Sequence, residues 1–251
     1  MRNWPGRSLL PRAGKVEIVL TLGIDTATRV CSVAVCDEKK ILGSLDVNVG
    51  LTHSEGLVPQ LETLLAMARV KKEDLDLLAV SRGPGSFTGL RIGMATAEAM
   101  AYALERPLVA VDTLAAIAYN LPVAGVRLTP VLDAQKGNLY VGSYRWNGDH
   151  LEEMEPVRIA PAKELAAQLQ EGSEPAILMG ECHRVPGTEE CDKVTLAPES
   201  ARLPRGSSVA ILGAAQYVPE GDIHSYFGMD PFYIRRSEAE ELWEKRHPEG
   251  R

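Results

Sequence analysis

Between an apolar run of strand length, Leu75-Asp76-Leu77-Leu78-Ala79-Val80-Ser81, and a long helix-forming stretch, Leu90 to Glu105, lies Gly83-Pro84-Gly85-Ser86-Phe87-Thr88-Gly89. A strand, a glycine turn and a helix start in that order make a place where free backbone N–H groups can face an anion.

The helix after the turn constrains the fold further. On a wheel of about 100° per residue, Arg91, Glu98, Tyr102 and Glu105 share one narrow side, and glycine, alanine and larger apolar residues fill the rest. The apolar arc is far wider than the ~100° that one core contact needs. A helix of this kind is covered on two sides, one by its own sheet and the other by a second layer or a second subunit. Gly89, Gly93, Ala97 and Ala101 recur every four residues, so a neighbouring backbone can come close. A central helix within one large domain explains the same wheel.

The chain has 251 residues, enough for one large or two modest domains, and is 45% hydrophobic and 24% charged. With aromatics at only 5%, the core must come from Leu, Val, Ile and Ala. A net charge of −7 argues against a stand-alone nucleic-acid binder, which would carry a basic face. No run approaches the ~20 apolar residues of a membrane span. Residues 1–14 have arginines but no apolar core of a secretory signal, and read as a disordered tail. Cys31, Cys36, Cys182 and Cys191 stand in no zinc-like spacing, and without a signal segment reduced thiols in a cytoplasm are expected.

Along the chain, Val16–Asp25, Val30–Cys36 and Ile41–Val47 read as three strands joined by short turns, an antiparallel meander. Thr52 and Glu55 resemble a capping box opening a helix, with Leu57, Val58, Leu61, Leu64, Leu65 and Ala68 as its apolar stripe and Pro59 tolerable only in its first turn. The strand Leu75–Ser81, the glycine turn, its helix and a short strand Pro107–Val111 follow. A second unit opens near Val126 with strands Leu128–Asp133 and Leu139–Trp146, so Asp25 and Asp133 hold corresponding places. Ala162–Gln170 and Ser207–Tyr217 read as helices and Ala176–Gly180 as a strand, while 180–200 reads mostly as loop. The order β-β-β-α-β-α-β predicts an α/β fold of two ribonuclease-H-like lobes of the actin/Hsp70/sugar-kinase superfamily, mixed sheets flanked by helices. The lobes are expected at 15–118 and 119–251, with helix 207–217 able to return to the first.

Familiar chemistries fail on the residues. A dinucleotide fingerprint needs G-x-G-x-x-G, and Thr88 stands in the third place; a P-loop needs G-K-[ST], and Gly89-Leu90-Arg91 is not that. No two histidines sit at i, i+4, and His183 with Cys182 and Cys191 reads as loop packing. His53, just before a helix, reads as a cap or surface residue. Asp25 and Asp133 are the best acidic candidates, since in this superfamily such an Asp faces nucleotide phosphates across an interlobe cleft. Ordering of their turns explains Asp25 equally well and Asp133 better.

These stretches together carry a resemblance. Leu22-Gly23-Ile24-Asp25-Thr26-Ala27-Thr28, His53-Ser54-Glu55-Gly56-Leu57-Val58-Pro59, Ser81 through Gly93, Val111-Asp112-Thr113-Leu114, Leu132-Asp133-Ala134-Gln135 and Pro231 through Glu240 are similar to the TsaB (YeaZ) family. That family is the dimerization subunit of the bacterial complex that makes threonylcarbamoyladenosine in tRNA. The similarity runs from about 16 to 244 and is weak over 150–225. The family's catalytic relative, TsaD, carries a metal-binding H-x-x-x-H where this chain reads Thr113-Leu114-Ala115-Ala116-Ile117. The resemblance therefore implies a tRNA-modification pseudoenzyme without a metal centre or a cofactor of its own. It implies pairing with a TsaD-type homologue, an associated TsaE-type ATPase, homodimers when alone, and tRNA reached only through the complex. ATP or ADP would sit, if anywhere, at the complex interface. The expected interface residues are Leu57, Leu61, Leu65, Gly89, Ile92, Gly93, Ala97 and Met100. The rival expectation is an ATP-binding phosphotransferase or ATPase of the same superfamily, with Asp25, Gly85 and Ser86 at phosphate.

Overall fold

Runs of branched and small apolar residues make the strands, and their alternation decides what covers each face. A computed structural model of the chain describes residues 7–8, 20–37, 40–48, 53–218 and 230–232. The first sheet is built from β2 (Thr21–Asp25), β3 (Cys31–Cys36), β4 (Ile41–Val47), β5 (Leu77–Gly83) and β6 (Leu108–Asp112), following a two-residue strand β1 (Arg7–Ser8). Its order is β4-β3-β2-β5-β6. The pairs β2–β3 and β3–β4 are antiparallel, while β2–β5 and β5–β6 are parallel.

Every residue of β2 and β3 is buried. Leu22, Ile24, Val33 and Val35 meet α1 (His53–Ala68) and α2 (Phe87–Leu104) through Leu57, Leu61, Met94 and Ala97. The opposite face meets α5 (Gly206–Gln216), which comes from the far end of the chain. A Cβ on Gly23 would lie 2.0 Å from the Gly206 carbonyl oxygen, so the α5 backbone rests directly on β2. Helix 206–216 thus returns to the first sheet, with Ala210 against Ala34 and Cys36.

The second sheet contains β7 (Arg127–Asp133), β8 (Asn138–Asn147), β9 (His150–Pro161), β10 (Ala176–Gly180) and β11 (Val194–Leu196). Its order is β1-β9-β8-β7-β10-β11, again a meander followed by parallel strands. The short helix α3 (Thr113–Tyr119) lies between the two sheets. Its Leu114–Ala118 segment joins Ala79 and Val111 of the first sheet and Leu128, Tyr140 and Tyr144 of the second in one core. α4 (Ala162–Glu171) covers the other face of the second sheet through Leu165 and Ala166. Both sheets show the ribonuclease-H-like strand order.

Several sequence expectations shift. Residues 16–19 of the first strand and Thr52 of the capping box lie outside the described residues, as does most of 1–14; Arg7–Ser8 of that tail pairs with β9. Pro59 stands inside α1 rather than in its first turn. α2 starts at Phe87, earlier than Leu90, because the Ser86 side chain accepts the Gly89 N–H as an N-cap. β9, unforeseen, is a twelve-residue strand whose glutamates stay at the surface while Leu151 and Ala160 are buried. The loop expected over 180–200 holds β11 and three single-turn helices. Among the described residues no helix is long and apolar enough to cross a membrane.

Candidate partner-binding face and glycine loop

The turn after β2 and the glycine loop after β5 close on each other. Ser86 N–H donates to the Ala27 carbonyl at 2.7 Å, and the Thr26 hydroxyl donates to the Gly89 carbonyl at 2.8 Å. Side chains are excluded at the contact: a Cβ on Gly85 would lie 2.4 Å from the Ala27 oxygen, and one on Gly93 2.2 Å from the Thr26 hydroxyl. Below the turn, the Asp25 carboxylate accepts the Ala27 N–H at 3.2 Å and the Ser81 hydroxyl. Burial pushes the Asp25 pKa from 3.8 up to about 6, against the two hydrogen bonds that pull it down and with the help of the Asp46 charge.

Asp25, Gly85 and Ser86 therefore do converge, on Ala27. They form a joint rather than an open phosphate cradle. Asp25 has no exposed surface, Ser86 spends its N–H on Ala27 and its side chain on Gly89, and Gly85 is pressed on backbone. Asp133 orders its turn, accepting the Gln135 N–H at 2.8 Å and pairing with Arg184 at 3.1 Å.

The residues expected at an interface on α1 and α2 divide between the core and the surface. Leu57, Leu61 and Ala97 belong to the chain's own core, and Gly89 and Gly93 face the Thr26 turn. Leu65, Ile92 and Met100 are half-buried. The surface instead shows Ala95, Ala99 and Ala103, a second small-residue ridge two positions out of phase with the first. With Val58, Met100 and Leu104 they line an apolar groove of about 530 Å³. Met67 at 73% and Tyr102 at 64% exposure extend the apolar surface along both helices. The wheel showed an arc wide enough for both ridges; only the position of the sheet decides which one turns outward.

Other candidates resolve into packing. Thr113 and Ile117 are fully buried in the core between the sheets, and neither fits a metal centre of the H-x-x-x-H kind. Among the described residues no three His, Cys, Asp or Glu side chains are grouped to hold a metal ion. Cys182 donates its thiol to the Leu178 carbonyl while His183 is exposed. His53 contacts the Thr28 carbonyl through Nε2 at 2.7 Å. Burial pushes the Cys31 thiol up to about 11 and Cys36 to about 12, so neither is a nucleophile.

A family model described as TsaD: tRNA N6-adenosine threonylcarbamoyltransferase matches residues 48–240. The tRNA threonylcarbamoyladenosine biosynthesis protein TsaB of Bacillus subtilis is 29% identical over 230 residues, 88% of this chain and 96% of that protein. An uncharacterised Mycobacterium tuberculosis protein is 30% identical over 231 residues, 91% of this chain and 97% of the relative. The crystal structure of a Pseudomonas aeruginosa protein with similarity to peptidase YeaZ covers 88% of this chain and 100% of its own, at 28% identity and a TM-score of 0.71. On its sequence, its paired sheets and these relatives together, the chain belongs to the TsaB/YeaZ family.

Proposed function

We propose that this protein serves in tRNA threonylcarbamoyladenosine biosynthesis as a non-catalytic subunit. The outer face of α1 and α2 would pair with the equivalent face of a catalytic TsaD-type homologue. The observation that carries the reading is the outward apolar strip of Val58, Ala95, Ala99, Met100 and Ala103 with its groove. Small residues let a partner helix approach closely, while each large apolar side chain it buries contributes roughly 1.5–3 kcal/mol. Several such contacts along both helices are needed to offset an association cost of about 4–15 kcal/mol. Because homologues share the fold, self-pairing through the same face would compete with hetero-pairing and give a homodimer when the chain is alone. A TsaE-type ATPase would join the assembled pair, and tRNA would be reached through the complex.

The non-catalytic assignment is supported by the side chains of α3. Thr113 and Ile117 cannot supply imidazole ligands, and the helix carrying them is sealed between the sheets. Any ATP or ADP belongs at the joint between subunits, since the Asp25 pocket is already filled by the chain's own hydroxyl and amide donors. In a cytoplasm, where tRNA is modified, the buried thiols stay reduced.

Calorimetric titration of the chain into the TsaD-type homologue of the same cell tests the proposal. Saturable binding is expected, weakened at least about tenfold by Ala99→Arg, which places a charge in the groove without touching the core. Absence of binding by the unaltered chain, with both proteins folded, would overturn it.

A further inference from the structure

The carboxyl end of β5 has a local geometry that the sheet does not require. Register between β5 and β6 slips between Ser81 and Gly83, which makes Arg82 a bulged residue. A bulge turns a carbonyl out of the ladder and re-aims a side chain. The freed Arg82 carbonyl accepts the N–H of Phe232, 150 residues later, at 2.7 Å. The re-aimed Arg82 side chain donates through Nε to Asp112 at 2.6 Å and carries its guanidinium 5.5 Å from the centre of the Phe232 ring. Gly83 follows with a φ of 117°, a backbone state open to glycine, and a Cβ there would stand 3.1 Å from the Phe232 carbonyl. Backbone carbonyl, cation, and bare glycine floor thus converge on one aromatic residue of the C-terminal segment.

We propose that the Arg82 bulge is an acceptor site for the chain's own C-terminal segment, a latch in which Phe232 clamps the strand that leads into the glycine loop. The Gly83–Ser86 stretch connects this clamp to α2, and its Ser86 N–H is the one that closes on Ala27. Releasing Phe232 leaves the Arg82 carbonyl without its partner, with the side chain still held by Asp112, and loosens the loop and first turn of α2. The consequence for docking rests on the interface reading above, because α2 carries the outward ridge; the latch itself does not.

Hydrogen–deuterium exchange of the full chain, read peptide by peptide, tests the latch. Phe232→Ala keeps the backbone hydrogen bond to the Arg82 carbonyl and loses the ring with its cation–π contact, which is expected to speed exchange over residues 83–92 roughly three- to fivefold. Phe232→Trp keeps an aromatic face for Arg82 and is expected to stay within about twofold of the natural chain. Arg82→Met, which removes the cation but not the carbonyl, is expected to move in the same direction as Phe232→Ala. Unchanged exchange over 83–92 in Phe232→Ala would overturn the latch. An equal rise over β7 and β8 would overturn it too, as that marks general loosening. The assay needs no partner, so failure of the interface leaves its outcome intact.

Discussion

The two sheets share a strand order and diverge in what is laid over them. In the first, Asp25 at the end of β2 is buried beneath a glycine loop, and helices of 16 and 18 residues cover one face. In the second, Asp133 at the equivalent end of β7 is partly exposed and ion-paired, and the covering helix has 10 residues. One architecture therefore supports a tight joint that presents two long helices and a looser unit that closes the core between the sheets. The shared topology sets where the acidic residue falls; the neighbouring glycines and helix lengths set what it does.

The sharpest way to break the comparison is to exchange the residue two before each Asp. Gly23 has the α5 backbone on it, with the Gly206 oxygen and Ala210 nitrogen 2.0 and 2.6 Å from a Cβ. Val131 instead packs side chain to side chain with Leu139, Val141 and Leu178. Gly23→Val is expected to destabilise by about 4 kcal/mol, above the ~1–3 kcal/mol of ordinary overpacking, since backbone cannot yield as a side chain can. Val131→Gly should be milder, about 2–3 kcal/mol, from a cavity and a freer unfolded chain. Urea unfolding of both variants decides; equal losses would mean that α5 does not rest on β2. Gly93→Leu belongs with Gly23→Val, because it strikes Thr26 inside the fold and so cannot serve as a clean interface probe.

The two aspartates give the next contrast. A pKa raised to about 6 means that folded Asp25 holds its proton more tightly than the unfolded chain does. Its contribution to stability is therefore full below about pH 4 and falls as pH climbs to about 6, a loss of about 3 kcal/mol. Asp25→Asn keeps an acceptor for the Ala27 N–H and a donor for the Ser81 oxygen but cannot ionise. The variant is expected to lack this decline and to exceed the natural chain at pH 7 by about 2 kcal/mol. Denaturation at pH 4 and pH 7 checks it, and parallel pH profiles for the two chains would show that Asp25 is not sealed.

Much of this contrast was legible in the sequence, and the exceptions share a cause. Apolar runs bounded by turns located the first meander, the β7–β8 hairpin, the paired Asp positions and a helix over 207–217, since those signals are local. β9 escaped because Glu152, Glu153, Glu155 and Pro156 interrupt its alternation, as a largely surface-facing strand permits. Of the residues expected at an interface, Leu57, Leu61 and Ala97 lie in the core while Met100 lines the groove, because periodicity groups residues on a face without saying which way the sheet lies. Asp25, Gly85 and Ser86 stand out in the sequence, but their closure depends on Ser81 and Ala27, which local pattern does not connect. The Phe232 contact joins residues 150 apart, and only the family's C-terminal motif marked the segment at all.

The helix layers sharpen the comparison at the surface. Ala99 on α2 and Ala167 on α4 are both exposed alanines in helices, so Arg at either should change stability by no more than about 0.5 kcal/mol. If the long helices alone form the docking face, Ala99→Arg weakens self-association or partner binding by at least about tenfold, near 1.4 kcal/mol, and Ala167→Arg leaves it unchanged. Sedimentation of each variant, with and without the homologue, reads the difference. Loss in both would extend the face to the second sheet; loss in neither would remove it from the first.

The smallest effect is expected at Asp133, and its smallness is the point. Its carboxylate bonds the Gln135 N–H and meets Arg184, itself bound to Glu181, at the surface. Asn keeps the turn contact, so Asp133→Asn removes only one arm of a solvated ion pair, which is worth about 0.5 kcal/mol and shrinks with salt. Arg184→Met, which also releases Glu181, should cost somewhat more, and the double variant little more than Arg184→Met alone, because the Asp133 contact is already gone in it. A measured loss above about 2 kcal/mol, insensitive to salt, would mean that Asp133 is held as Asp25 is, and that the two ends differ in exposure but not in role.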